Sequence, residues 1–214
     1  MSRREIILAE MGLAPIWRLR GRVSAEEKPT QHGWVELKQA VSGCVSCGLH
    51  QTRTQTVFGV GDENADWMLI GEAPGAEEDR LGDPFVGQAG RLLDNMLAAI
   101  GLKRGENVYI ANVLKCRPPG NRNPQPEEVA KCTPHLLRQI ELVQPKLILA
   151  LGRFAAQTLL DTDASIASLR GKLHRYAGVP LIVTYHPAYL LRTLPDKAKA
   201  WEDLVFAKKT MSSL

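Results

Sequence analysis

PEEVAKCTPHLLRQIELVQPKLILALGRFAAQTLL, residues 126–160, contains the three patterns that decide the architecture. Over 126–143, Val129, Leu136, Ile140 and Val143 recur at helical steps behind a Pro-Glu-Glu start, which predicts an amphipathic helix. LILAL at 147–151 is an unbroken apolar run of strand length, and after the turn at Gly152 residues 153–160 return to helical spacing. The alternation continues outward, with strands expected at 67–70, 108–111 and 181–184 and helices at 89–100 and 197–209. Short apolar strands separated by amphipathic helices define an α/β domain with a largely parallel sheet.

The rest of the composition fits a folded domain. Of 214 residues 44% are apolar and 23% charged, which excludes fibrous and wholly disordered chains. No apolar run approaches the roughly 20 residues that a membrane-spanning helix needs. The start, MSRREIILAE, has acidic residues and no long apolar core, so a secretory signal is not expected and the cytoplasm is the expected location. Net charge is +4, and residues 170–214 hold eight basic against three acidic side chains, a bias that permits a polyanionic partner and equally describes a solvated helix face. Residues 1–30 stand apart as an arginine-bearing peptide ending in the linker-like EEKPT, and the folded domain is expected over 31–214.

In sheets of this type, chemistry gathers where strands end and backbone N–H groups at helix starts face a crevice. Three loops fit that position: 71–75 with Glu72, 112–117 beginning at Asn112, and 186–192 beginning at His186. The four cysteines form two pairs, Cys44-x2-Cys47 and Cys116-x15-Cys132, and the first pair sits in a polar loop, SGCVSCGLH. In a cytoplasmic chain this pattern favours one metal centre over disulfides, and the spacing alone leaves zinc and an iron–sulfur cluster both open.

Four segments taken together resemble the family 4, iron–sulfur uracil-DNA glycosylases: GEAPGAEED (71–79), GDPFVGQAGRLLDNML (82–97), NVLKCRPPGNRNP (112–124) and YHPAYLLR (185–192). Motif order, spacing and cysteines all agree, over about residues 33–210. The resemblance implies a three-layer αβα sandwich around a central four-stranded, mainly parallel sheet. It also implies a [4Fe–4S] cluster, in preference to zinc, on Cys44, Cys47, Cys116 and Cys132, and excision of uracil from single- or double-stranded DNA by a monomer.

The resemblance also implies roles. A stacked base must leave the helix before its glycosidic bond can be reached. Phe85 then stacks on the extruded base, Asn112 reads its edge, and His186 donates a hydrogen bond to uracil O2 as charge develops there. Glu72 lies beside the sugar and the attacking water, with Asn112 as the second candidate for activating that water. Ala73 stands where better-known glycosylases carry aspartate. Gly71 and Ala73 complete the pocket, and Glu78 and Asp79 match acidic residues near uracil C5. Arg117, Arg122 and Arg192 are expected on phosphates, and Ala188, Tyr189, Leu190 and Leu191 form a wedge into the vacated stack.

No positioned lysine nucleophile is read in the three loops, Lys115 being the one lysine among them, so a monofunctional hydrolase is expected. The alternatives are a superfamily relative trapped covalently on DNA, whose basic histidine-bearing insertion is missing from 112–132, and a noncatalytic iron–sulfur DNA-binding module. A second resemblance links residues 2–22, SRREIILAEMGLAPIWRLRGR, to the N-terminal peptide of the psi subunit of bacterial DNA polymerase III. It implies a clamp-loader partner, with Leu8, Met11, Leu13 and Trp17 as anchors.

Overall fold

The computed structural model describes residues 31–214. The peptide read over 2–22 and its linker lie outside the described residues. The chain runs α1 (Gln31–Ser42), β1 (Val60–Gly61), β2 (Trp67–Gly71), α2 (Ala76–Leu81), α3 (Gln88–Ala99) and β3 (Val108–Asn112), then α4 (Pro126–Val143), β4 (Leu147–Leu151) and α5 (Arg153–Leu160). It closes with α6 (Ile166–Leu169), β5 (Leu173–Tyr176), β6 (Val179–Thr184), α7 (Pro187–Leu190) and α8 (Asp196–Met211).

One sheet holds the six strands of the described residues in the order β1-β3-β2-β4-β6-β5. The four expected strands form its parallel centre, with Trp67 opposite both Val108 and Leu147 and Leu151 opposite Thr184. Two short antiparallel strands, β1 on β3 and β5 on β6, cap the edges. They escape a sequence reading because β1 is two residues long and β5 is half-exposed, so neither has an apolar signature.

Every residue of β2, β3 and β4 is buried. Alternate side chains serve opposite faces, as the strand period of two requires. Met68, Ile70, Ile148 and Ala150 pack with Val41 of α1 and with Leu136 and Ile140 of α4. Trp67, Leu69, Leu147 and Leu149 pack with Leu93 and Leu97 of α3 and with Leu204 of α8. This is the expected three-layer sandwich. The helix α1 adds Trp34, Leu37 and Val41 to the core, a set at helical spacing.

The order of the parallel strands reverses direction at one place. From β2 the chain crosses to β3 on one side, returns past β2 to β4, and continues outward to β6. The crevice outside the carboxyl ends of β2 and β4 is therefore the topological switch point, where open α/β sheets place their ligands.

Candidate active site

A cleft of about 770 Å³ opens at that switch point. Glu72 enters it from the end of β2, Asn112 from β3, Gly152 and Arg153 from β4, and His186 from the residue pair after β6. Ala73, Glu78, Phe85, Arg122, Ala188, Tyr189 and Arg192 also line it.

Local structure sets each of these groups. His186 is the N-cap of α7, and its Nδ1 accepts the Ala188 backbone N–H at 3.1 Å. With that lone pair occupied, the neutral ring carries its proton on Nε2. Burial, reinforced by the charge of Arg192, holds the imidazole pKa down to about 4, with Glu78 working in the opposite sense. The Phe85 ring stacks beside it, with centroids 5.4 Å apart and planes inclined by 30°.

Asn112 closes β3 and is 2% exposed, and its Oδ1 has no hydrogen-bond partner among the described residues. Leaving a buried carbonyl unpaired costs free energy, so this oxygen is set for a donor that arrives with a ligand. Its main-chain carbonyl is tied down by the buried Lys115 ammonium at 2.8 Å, which also reaches Gln139 Oε1 at 2.6 Å. Gly71 lies against both Asn112 and Phe85: a Cβ there would run into Asn112 Oδ1 and come within 2.6 Å of Phe85 Cζ. Gly152 does the same for the histidine, since a Cβ would fall 2.7 Å from His186 Cβ.

The carboxylates divide their work. Burial raises the Glu72 pKa above the ordinary carboxylate value, while the Arg153 charge pulls it back. Glu78 accepts from the N–H groups of Gly75 and Val86, both at 3.1 Å, and so joins the loop after β2 to the loop carrying Phe85. Asp79 is a structural group instead: it is buried, receives the Thr54 N–H on both oxygens, and is not among the cleft-lining residues.

The residues expected on DNA are distributed unevenly about the cleft. Arg192 lines the cleft and is exposed. Arg122 lines it too, but both its Nη atoms are bonded to Glu128, at 2.9 and 2.5 Å. Arg117 does not line the cleft and donates to Asn121 Oδ1 at 2.7 Å. In the expected wedge, Leu191 is exposed but Leu190 is 1% exposed and packs in the core, because the single turn of α7 rotates it inward. Tyr189 is fixed in the cleft wall by its hydroxyl on Asp196 Oδ2, at 2.6 Å, and by stacking on Tyr185. The sequence reading missed Arg153, which the strand-end rule applied to the fourth strand would have found.

Beyond the cleft, Cys44, Cys47, Cys116 and Cys132 line one pocket. Among the described residues no three His, Cys, Asp or Glu side chains converge on a position for one metal ion. Hydrogen-bond donors face two of the sulfurs: Arg53 Nη1 lies 3.0 Å from Cys116 Sγ and the Lys115 backbone N 3.2 Å from Cys132 Sγ. Such hydrogen bonds stabilise thiolates, so the donor set suits a thiolate-bound group. Glu128 lines this pocket while its carboxylate holds Arg122 in the cleft wall, and so links the two sites.

Residues 58–205 match the family model described as the uracil DNA glycosylase superfamily. A type-4 uracil-DNA glycosylase of Archaeoglobus fulgidus is 49% identical over 164 residues, covering 73% of this chain and 82% of that protein. The type-4 enzyme of Thermotoga maritima is 44% identical over 176 residues, covering 80% and 91% respectively. A type-5 uracil-DNA glycosylase of Pyrobaculum aerophilum is more distant, at 34% over 148 residues, or 61% and 64%. The chain thus belongs to the uracil-DNA glycosylase superfamily and, within it, to the type-4 branch. No helix among the described residues is long and apolar enough to cross a membrane.

Proposed function

We propose that this protein hydrolyses the N-glycosidic bond of uracil in DNA and leaves an abasic site. The observation that carries this reading is the convergence, in one cleft, of the unpartnered Asn112 Oδ1, the Phe85 ring and the His186 edge that bears its proton on Nε2.

An extruded uracil stacked on Phe85 offers N3–H to Asn112 Oδ1 and O4 to the amide N–H groups. Cytosine presents an acceptor and a donor at those two atoms, which would leave buried polar groups unpaired. His186 Nε2–H donates to O2. That bond strengthens as the C1′–N1 electron pair moves onto the base, so it stabilises the transition state more than the ground state. The oxygen of a water beside Glu72 bonds C1′ and its proton passes to the carboxylate. A carboxyl whose proton affinity is raised by burial is suited to that transfer. Only the extruded nucleotide is read, so single- and double-stranded DNA both serve, with Arg192 and Arg153 placed for phosphates.

We assign the four cysteines to a [4Fe–4S] cluster in preference to zinc. Four cysteines lining one pocket, with hydrogen-bond donors on the sulfurs of Cys116 and Cys132, supply the all-thiolate donor set that such a cluster takes. When bound, the cluster supplies a cross-link between the 44–47 loop and the two ends of 116–132. Visible absorption from protein purified without air supports the cluster, and a colourless zinc protein refutes it. The clamp-loader contact of residues 2–22 is a separate proposal; deletion of 1–28 that leaves clamp-loader binding unchanged refutes it.

The decisive assay incubates a uracil-containing oligonucleotide with the protein and then adds alkali. Strand cleavage at the uracil position is the expected result. An intact strand points to a noncatalytic DNA-binding module, and a protein–DNA adduct to the covalently trapped class.

A further inference from the structure

Phe85 has φ +55°, the left-handed region that a bulky side chain adopts only when its surroundings impose it. The restraints come largely from one side chain outside every sequence motif. Arg104 donates Nη1 to the Pro84 carbonyl at 3.0 Å and Nη2 to the Phe85 carbonyl at 2.9 Å, while its Nε bonds Asp94 Oδ1 at 2.8 Å. The planar fork thus fixes two successive carbonyls, and the carboxylate on α3 fixes the fork. Gly90, one turn before Asp94 on the same helix, has no side chain where a Cβ would overlap the Phe85 carbonyl oxygen. On the other side of the loop, Glu78 holds the Val86 N–H. The ring held by this clamp is the one stacked on His186 and in contact with Gly71.

We propose that Arg104 is a positioning residue that keeps Phe85 in its strained conformation, so that the stacking platform for the extruded base exists before DNA arrives. This rests on the assignment of Phe85 as that platform. A preformed surface spares the base the cost of ordering it, so loss of the clamp weakens base capture while leaving phosphate contacts intact. The relaxed loop would turn the ring away from His186, and stacking would be lost without any change in the atoms that perform hydrolysis.

The test compares wild type with Arg104→Met, Phe85→Ala and the double variant. It measures inhibition by free uracil and, in parallel, affinity for an abasic duplex. Arg104→Met is expected to weaken uracil binding on the order of tenfold, in line with release of a strained left-handed residue. Abasic-DNA affinity should stay near wild type, and the double variant should bind uracil no worse than Phe85→Ala alone, because Arg104 acts through the ring. Losses that add in the double variant, or a parallel loss of abasic-DNA affinity, would overturn the proposal by showing a general structural role. If Phe85→Ala weakens uracil binding and Arg104→Met does not, the clamp is refuted while the platform stands. If Phe85→Ala itself has no effect, the platform fails and the clamp with it. Should Arg104→Met not fold, Asp94→Asn loosens the same fork; a smaller shift in the same direction supports the proposal, and none refutes it.

Discussion

The imidazole of His186 caps the helix that begins with the next residue: its Nδ1 takes the backbone N–H of Ala188 at 3.1 Å. One hydrogen bond thereby sets the tautomer and aims the ring, and burial with Arg192 keeps it neutral, with a pKa near about 4. Protonation would place a second N–H against the amide of Ala188 and break the cap. Excision should therefore show no His186-dependent change from about pH 8 down to about pH 5 and fall as pH drops through about 4. A kcat/KM profile with an inflection near the ordinary histidine value, about 6.5, contradicts this.

The same ring makes folding pH-dependent. Unfolded His186 binds its proton near about pH 6.5 and the folded one only near about 4, so between those values the unfolded state holds more protons and stability rises with pH. The penalty, on the order of 3 kcal/mol, is fully present below about pH 4 and absent above about pH 6.5. Denaturant melts of His186→Ala across that window should show a shallower slope against pH than wild type. Parallel slopes would exclude this contribution.

Asn112 should display a conflict between stability and activity. Its Oδ1 is buried without a partner, so Asn112→Ala removes an uncompensated polar atom and should leave melting temperature unchanged or raised. Uracil excision should drop on the order of 100-fold or more, because the imide N–H loses its acceptor. A melting temperature lowered by several degrees would mean that the amide is satisfied in the free protein.

Arg122 and Arg192 should differ in their salt response. The charge of Arg122 is engaged by Glu128 through two hydrogen bonds, which hold the Glu128 pKa below its ordinary value, whereas Arg192 is exposed at the cleft mouth. Removing Arg192 should lower the slope of log affinity against log salt by about 1, while removing Arg122 changes it less. Titrations of abasic duplex at several salt concentrations measure both, and equal slopes for the two variants contradict the distinction.

Arg170 should matter for stability out of proportion to its distance from the cleft. It pairs with Glu202 and with Asp203, which is 1% exposed, and its guanidinium lies over the Tyr185 ring next to His186. Arg170→Met strands a buried carboxylate, and chemical denaturation should register a loss of roughly 3 kcal/mol. Arg170→Met with Asp203→Asn should recover part of it; no recovery would argue against the ion pair as the source.

Much of this was legible in the sequence, for identifiable reasons. LILAL, its flanking helices and their bounds follow from hydrophobic period and cap residues, and the strand-end rule points to Glu72, Asn112 and His186. The exceptions have physical causes. Leu190 is one of four consecutive residues that the sequence offers for a wedge, but a single helical turn sends it into the core and leaves Leu191 outside. Arg104 carries no local signal, since the carbonyls it holds are 20 and 19 residues earlier and only the fold brings them together. Whether the four cysteines share one pocket or lie apart likewise depends on how the fold brings residues 44 and 132 together.

Gly152 contributes no chemical group to the cleft, yet it limits how the pocket can change. The turn after the fourth strand constrains the histidine by leaving space: a methyl at that position would fall 2.7 Å from His186 Cβ and force the side chain to shift. A larger residue at 152 therefore has to be accommodated by movement of the loop that carries His186, since the colliding atom is the side chain's Cβ and not a flexible tip.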